Sequence, residues 1–454
     1  MTTTIYEKYS INRLLVSFSL PAIASLIIET LTSVIDTSFA GHLDNKSEAA
    51  LAALGLLSPL LAIFVALQTL FAASTAIMIS KCLGRGDDVG VQTYFTIGFT
   101  MTVVVSLCTS LVTFLFMDPL LLFLGAVGDT YTLASDYLQI ILISNVFSSL
   151  GYTLTSSIRA FGHPQAETAI ILLSVVINII GNTILTFGLQ LGMTGIALGT
   201  LISELLCALL SLIYLYKKKR WFTSRTFSLS EHLLFSYTLF KIGLAQTIIQ
   251  IIAGMSAFTI NYQLITTGGA PYISTWNIAN KLYMLMLMPV IGMTQGVQTI
   301  LAYFDGKNEE TKKKSTVRKT ISACLVYGIA VTAMIYLFEK PLLYLFTSNP
   351  SLLESAVNVV QVIFFTFPLL GITYTVMTIL QVTGKEGGAI LLSLLRQVII
   401  LIPLVIVIPI IFDMFHLPQI DPAFSIFFAI PLADMLTLGC AFIFLTATRS
   451  SSNQ

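Results

Sequence analysis

The feature that most restricts this chain is a succession of apolar runs, each long enough to cross a bilayer, joined by short polar connectors. A helix needs about 20 mainly apolar residues to span a hydrocarbon core of about 30 Å. Twelve stretches reach that length, at residues 12–39, 50–80, 91–117, 133–158, 165–188, 191–216, 235–264, 273–303, 316–338, 354–382, 387–412 and 422–446. The runs are continuous rather than alternating, which specifies helices, and a lipid-exposed sheet edge would leave backbone groups unpaired. The first run has no small-residue cleavage site and exceeds a signal-peptide core, so it is expected to be retained as a span. Of the 454 residues only 10% are charged, against about 25% in soluble domains, which excludes a soluble enzyme. A net charge of +1 leaves no basic surface for nucleic acid. Cys82, Cys108, Cys207, Cys324 and Cys440 are scattered without a CxxC, so neither a disulfide framework nor a zinc site is expected. The expected fold is an all-α polytopic membrane protein.

Orientation follows from the basic residues. With both termini in the cytoplasm, 20 of the 23 Lys and Arg fall on that side, among them Lys81, Arg85, Arg159, the run Lys217 to Arg220, Lys307, Lys312 to Lys314 and Arg396. The longest basic connector, 217–231, lies at the middle of the chain and divides it into six-helix bundles at 1–216 and 232–454. The halves echo each other. CLGRGDD at Cys82–Asp88 recurs as YFDGKNE at Tyr303–Glu309, and IRAFGHP at Ile158–Pro164 recurs as LQVTGKE at Leu380–Glu386, with offsets of 221 and 222 residues. Six spans return the chain to its starting side, so the repeats are expected to be related by a pseudo-twofold axis along the membrane normal, with a substrate cavity between them.

Four acidic residues lie well inside the spans: Glu29, Asp36, Glu204 and Asp434. An ionisable group at that depth costs about 2.5–3.5 kcal/mol even on the lenient insertion scale, so each should face a cavity or a partner. Glu29 and Asp36 are two helical turns apart on one face, with Thr32 and Ser33 between them. Asn178, Asn182 and Thr186 repeat every four residues on the fifth span, and Thr200 and Glu204 do so on the sixth. Converging, these stripes would form one hydrated acidic pocket holding Asp36, Asn178, Asn182 and Thr200, with no buried basic counterpart in the first half. The competing reading is that such polar groups simply join helices by hydrogen bonds. Asp434, after Pro431, has no visible partner and reads as a hydrated structural acid or a cavity residue of the second half.

Taken together, SLPAIASLIIETLTSVIDTSFAGHL in the first span, LGRGD at Leu83–Asp87, IRAFGHP, NIIGN at Asn178–Asn182 followed by GMTGIALGTLIS, GMTQGVQTI at Gly292–Ile300 and LSLLRQVIILIP at Leu392–Pro403 resemble the multidrug and toxic compound extrusion (MATE) family, in its order and over most of the chain. Within the family the pattern of both halves resembles the bacterial drug-efflux and DinF-like members more than the plant or animal ones. The resemblance implies ion-driven export of bulky cationic or amphipathic compounds from a bacterial plasma membrane by a monomer, with protons or sodium as coupling ion and no other cofactor. It also implies that Asp36, Asn178, Asn182 and Thr200 match the ion site of the family's first half, although relatives commonly carry aspartate at the position of Asn182. Glu29 and Glu204 stand where relatives often have glutamine, which makes Glu204 a further coupling candidate. The expected driver is the proton, through Asp36. Sodium held by Asp36, Asn178, Asn182 and Thr200 is the alternative.

Glu29, Gln250, Met288, Gln295 and Gln298 are the candidates for substrate contact, the methionine because its side chain repacks easily. Arg396, matching the start of the family's eleventh span, is expected to snorkel to the interface. A flippase for lipid-linked substrates in the same superfamily would call for a more basic cavity. An enzyme is disfavoured because HExxH, GxSxG, P-loop and triad motifs do not occur.

Overall fold

The computed structural model describes residues 5–43, 47–218, 229–344, 350–414 and 421–450. Within these, eleven helices are long and apolar enough to cross a membrane, and a bent pair makes a twelfth span. In chain order they are α1 (Ile11–Gly41), α2 (Ser47–Arg85), α3 (Asp88–Leu115), α4 (Gly128–Ala160), α5 (Pro164–Asn182), α6 (Gly192–Lys217), α7 (Leu229–Gly268), α8 (Ala270–Gly306) and α9 (Glu310–Leu343). The broken α10 follows (Pro350–Phe364 and Phe367–Val382), then α11, which begins at Glu386–Leu394 and ends at Ile402–Met414, and α12, which closes with Ala429–Ser450. Each of the twelve apolar stretches in the sequence therefore coincides with one such helix or with the bent pair, and no strand occurs among the described residues.

Two departures from plain α-helix follow from local chemistry. The halves of α10 meet at 47° around Phe365 and Thr366. Pro368 lacks an N–H, and its ring would strike the carbonyl four residues back, at Phe364, the last residue of the first half. The other departure is π-helix, at Thr183–Gly188 directly after α5 and at Leu395–Leu401 inside α11. Such wide turns are frequent at functional sites.

The chain forms two compact units, residues 1–247 with 302–310, and 248–301 with 311–454. The second has a core in which Tyr283 meets Phe364 edge-on at 5.6 Å and Phe367 at 5.8 Å. In the first, the repeated connectors lie against each other. A Cβ at Gly84 would sit 2.1 Å from the carbonyl oxygen of Tyr303, and one at Gly306 would sit 2.1 Å from that of Lys81. Gly84 and Gly306 are 222 residues apart, as are Lys81 and Tyr303. The contact is thus reciprocal, as in a two-fold interface, and it requires glycine on both sides. Around it Lys81 pairs with Asp305 at 3.1 Å and Tyr6 stacks on Tyr303 at 4.3 Å. Lys307 bridges Glu309 and Glu7, whose carboxylates hold its ammonium well above the ordinary lysine range.

Candidate functional site

Asp36 lies on α1 a little over one turn before the helix ends at Gly41, half-buried against α5. Asn182 Nδ2 donates to Asp36 Oδ1 at 2.6 Å and to Asn178 Oδ1 at 3.3 Å. Asn178 Nδ2 in turn donates to Thr200 Oγ1 at 3.4 Å, whose own hydroxyl donates to the Ile196 carbonyl. The four residues expected to converge are one hydrogen-bonded chain from α1 through α5 to α6. Asn182 is 0% exposed and Asn178 2%, so the chain enters the interior of the first unit.

Glycines on α6 allow this approach. A Cβ at Gly199 would fall 1.9 Å from Asn182 Oδ1, and one at Gly195 would fall 2.7 Å from the backbone nitrogen of Thr186. The GMTGIALGT segment therefore removes two side chains from one face, and α6 closes on the end of α5 where the π-turns begin. Two oxygens are left over there: Asn182 Oδ1 and Thr186 Oγ1 are buried without a hydrogen-bond partner.

Glu204 lies one turn beyond Thr200, beside Ser148 of α4 and within electrostatic reach of Asp36, but outside the hydrogen-bonded chain. Tyr137 of α4, 5% exposed, also feels the Asp36 charge. The side chains of Glu29 and Ser33 lie outside the described residues. Thr32 spends its hydroxyl proton on the Ile28 carbonyl at 3.0 Å.

The remaining candidates belong to the second unit. Gln250 is exposed, while Met288, Gln295 and Gln298 are half-buried. Gln298 Nε2 donates to Gln381 Oε1 of α10 at 2.9 Å, which joins α8 to α10.

Three expectations are corrected. Asp434 does have partners, since Arg396 Nε donates to its Oδ1 at 2.8 Å and Thr366 Oγ1 donates to its Oδ2 at 3.1 Å. Arg396 consequently does not snorkel. It is the second residue of the π-helical stretch of α11, reaches Asp434 of α12 and lies over the Tyr374 ring at 5.7 Å. The first half also contains a buried base. Arg159 at the end of α4 pairs with Glu167 of α5 at 3.0 Å, with side chains 9% and 3% exposed. Sequence reading passed over Glu167 because it sits at a span boundary. The available signal was an Arg eight residues ahead of a Glu across the FGHP corner. Because this base is matched by its own acid, the excess of acid around Asp36 stands.

Known proteins share this helical membrane fold. The family model MatE matches residues 21–184 and 247–407. The chain belongs to the multidrug and toxic compound extrusion family of transporters. It is 28% identical over 397 residues to the multidrug export protein MepA of Staphylococcus haemolyticus (strain JCSC1435), covering 87% of each chain. The corresponding protein of Staphylococcus aureus (strain NCTC 8325 / PS 47) is 27% identical over 396 residues, again 87% of each. In three dimensions the chain is similar to a multidrug resistance MATE family transporter of the MOP superfamily solved in an outward-facing conformation. The TM-score is 0.90 at 20% identity, over 99% of this chain and 98% of that one.

The role of the α6 glycines can be tested directly. Gly199→Ala must displace the Asn182 amide, and a displacement of about 1 Å at a reacting group can lower rates about a hundredfold. Dye efflux from cells carrying matched amounts of protein should therefore fall at least about tenfold. Gly254→Ala, where a Cβ meets nothing within 4 Å, should be silent.

Proposed function

We propose that this protein is a secondary antiporter of a bacterial plasma membrane that exports organic cations and amphipathic drugs, driven by protons exchanged at Asp36. The observation that carries the reading is the contact of Asp36 with Asn182, a neutral donor. An amide orients a carboxylate but supplies no positive charge, so in an apolar span the charge of Asp36 calls for a proton or another cation. A proton and a cationic substrate then compete for one acid. Protonation removes the attraction for the substrate and favours its release on the side from which the proton came. Loss of the proton on the other side restores it. That competition is sufficient for obligatory exchange between states open to opposite faces. Multidrug export by the MepA relatives supports the substrate class. Both termini are assigned to the cytoplasm on the distribution of basic residues, and a monomer carries the complete set of site residues.

A second reading has its own support. Asn182 Oδ1 and Thr186 Oγ1 are buried oxygens without partners beside Asp36, Asn178 and Thr200, and a hard cation takes several such oxygens. In this reading sodium is the transported counter-ion. Purified protein in liposomes, with pH and sodium gradients imposed separately, decides between them. Ethidium transport driven by a pH gradient alone is the expected result. Transport driven by sodium alone would establish the second reading, and transport under neither gradient would overturn ion coupling.

A further inference from the structure

The Arg159–Glu167 pair has no part in the site around Asp36, yet Glu167 is a buried acid on α5, the helix that holds Asp36 through Asn182. Glu167, Ile170, Ser174, Asn178 and Asn182 are the buried positions of α5 beyond its first proline. Glu167 and Asn182 are 15 residues apart, which at about 1.5 Å per residue is about 22 Å along the helix axis. The two acids therefore stand near opposite ends of one bundle, with Ser174 and Asn178 on the face between them. A pair formed only to staple α4 to α5 would be expected to use both carboxylate oxygens and the inner guanidinium nitrogen. Instead Glu167 Oε2 and Arg159 Nε are both buried without a hydrogen-bond partner. Ser211 Oγ, on the buried face of α6, is in the same condition. Leaving a charged carboxylate oxygen unpaired in the interior is costly, and it is relieved whenever Oε2 carries a proton.

From this geometry we propose that Glu167 is the second proton-transfer residue of the first unit, receiving the proton that Asp36 releases and delivering it at the α4–α5 end. The inference rests on the proton reading given above. In the transfer Asp36 loses its proton and becomes a carboxylate. The Ser174 hydroxyl, whose own proton points to the Ile170 carbonyl at 2.9 Å, accepts one proton and gives up another through intervening water. Glu167 Oε2 accepts it and then loses it to water, so Glu167 is a carboxylate again, one proton has moved from Asp36 to the α4–α5 end, and Asp36 stays ionised until it takes up the next proton. Arg159 is the charged group acting on Glu167. It pairs with the ionised form and so favours delivery over retention. The end of the path lies at the corner before α5, where Gly162 has φ +90° and a Cβ would meet Ile5 at 2.5 Å. Tyr6 binds the Ala160 carbonyl there at 2.8 Å.

The test uses full-length protein in liposomes, with ethidium as substrate and an enclosed pH-sensitive dye reporting proton movement. Glu167→Gln keeps the shape of the side chain and a partner for Arg159 but cannot exchange a proton near neutrality. Proton-driven export and the accompanying proton flux should both fall at least about tenfold. Ethidium exchange without a gradient, which needs no net proton movement, should stay within about twofold of the wild type. Glu167→Asp, which keeps the carboxyl, should recover most of the export. Full proton-driven export by Glu167→Gln overturns the proposal. So does a parallel fall in gradient-free exchange, or failure of the Asp variant to recover, since either marks a structural pair. A wild type that ignores the pH gradient would overturn the proton reading itself, before any variant is compared.

Discussion

Asp36→Asn is expected to reduce proton-driven export of ethidium to the level of empty liposomes, a loss of about a hundredfold or more. The amide is nearly isosteric and can still accept from Asn182 Nδ2, so the hydrogen-bonded chain over α1, α5 and α6 has no reason to come apart. What disappears is the exchangeable proton and the negative charge. Neutral substrate should therefore still bind, measured by fluorescence anisotropy, while binding of a quaternary ammonium compound weakens. Asn178→Ala removes one link but no titratable group and should be partly tolerated. If sodium is the counter-ion, Asn178→Ala and Thr200→Ala should instead raise the sodium concentration needed for transport. Undiminished proton-driven export by Asp36→Asn would remove this residue from the mechanism and make Glu204 the first to examine.

Arg396→Leu is expected to be the most destabilising single change in the second unit. Asp434 is 4% exposed and would be left with Thr366 alone. Breaking a buried ion pair by removing one partner costs about 3–5 kcal/mol, whereas replacing both partners with apolar groups is often nearly neutral. The melting temperature in detergent should accordingly drop sharply for Arg396→Leu and recover for most of its span in Arg396→Leu with Asp434→Leu. A single variant that unfolds with the wild type would show that the pair contributes nothing to stability. Recovery of stability without recovery of export would show that the pair has a functional role as well.

The spans were legible because the bilayer requirement acts along the chain. About 20 apolar residues in a row is a statement about consecutive positions, and α1 to α9 appear where that rule puts them. The break in α10 was equally local, since it depends on Pro368 and a carbonyl four residues away. The stripe on α5 was legible for a similar reason: a helix repeats every 3.6 residues, so Asn178 and Asn182 must share a face. Periodicity cannot show which face of another helix that stripe meets, however. Asp434 seemed alone because its partner is 38 residues away on α11, and Arg396 seemed an interface residue because it looked like the start of a span. Glu167 was passed over because a carboxylate near a helix end is ordinarily solvated, whereas tertiary packing buries this one and sets Arg159 of α4 beside it.

By itself, then, the sequence determined that this protein is helical, carries eleven helices and a bent pair long and apolar enough to cross a membrane, and echoes two connectors of its first half in its second, because each of those properties follows from residue spacing and the cost of unpaired polar groups in lipid. Only the tertiary structure decided which acids have partners and which of them share a hydrogen-bonded chain. It also decided that glycines rather than larger residues must stand at 84, 199 and 306, with a carbonyl or an amide oxygen in the space a Cβ would fill. Those outcomes depend on distances of a few ångströms between residues far apart in sequence, and no pattern along a single helix contains them.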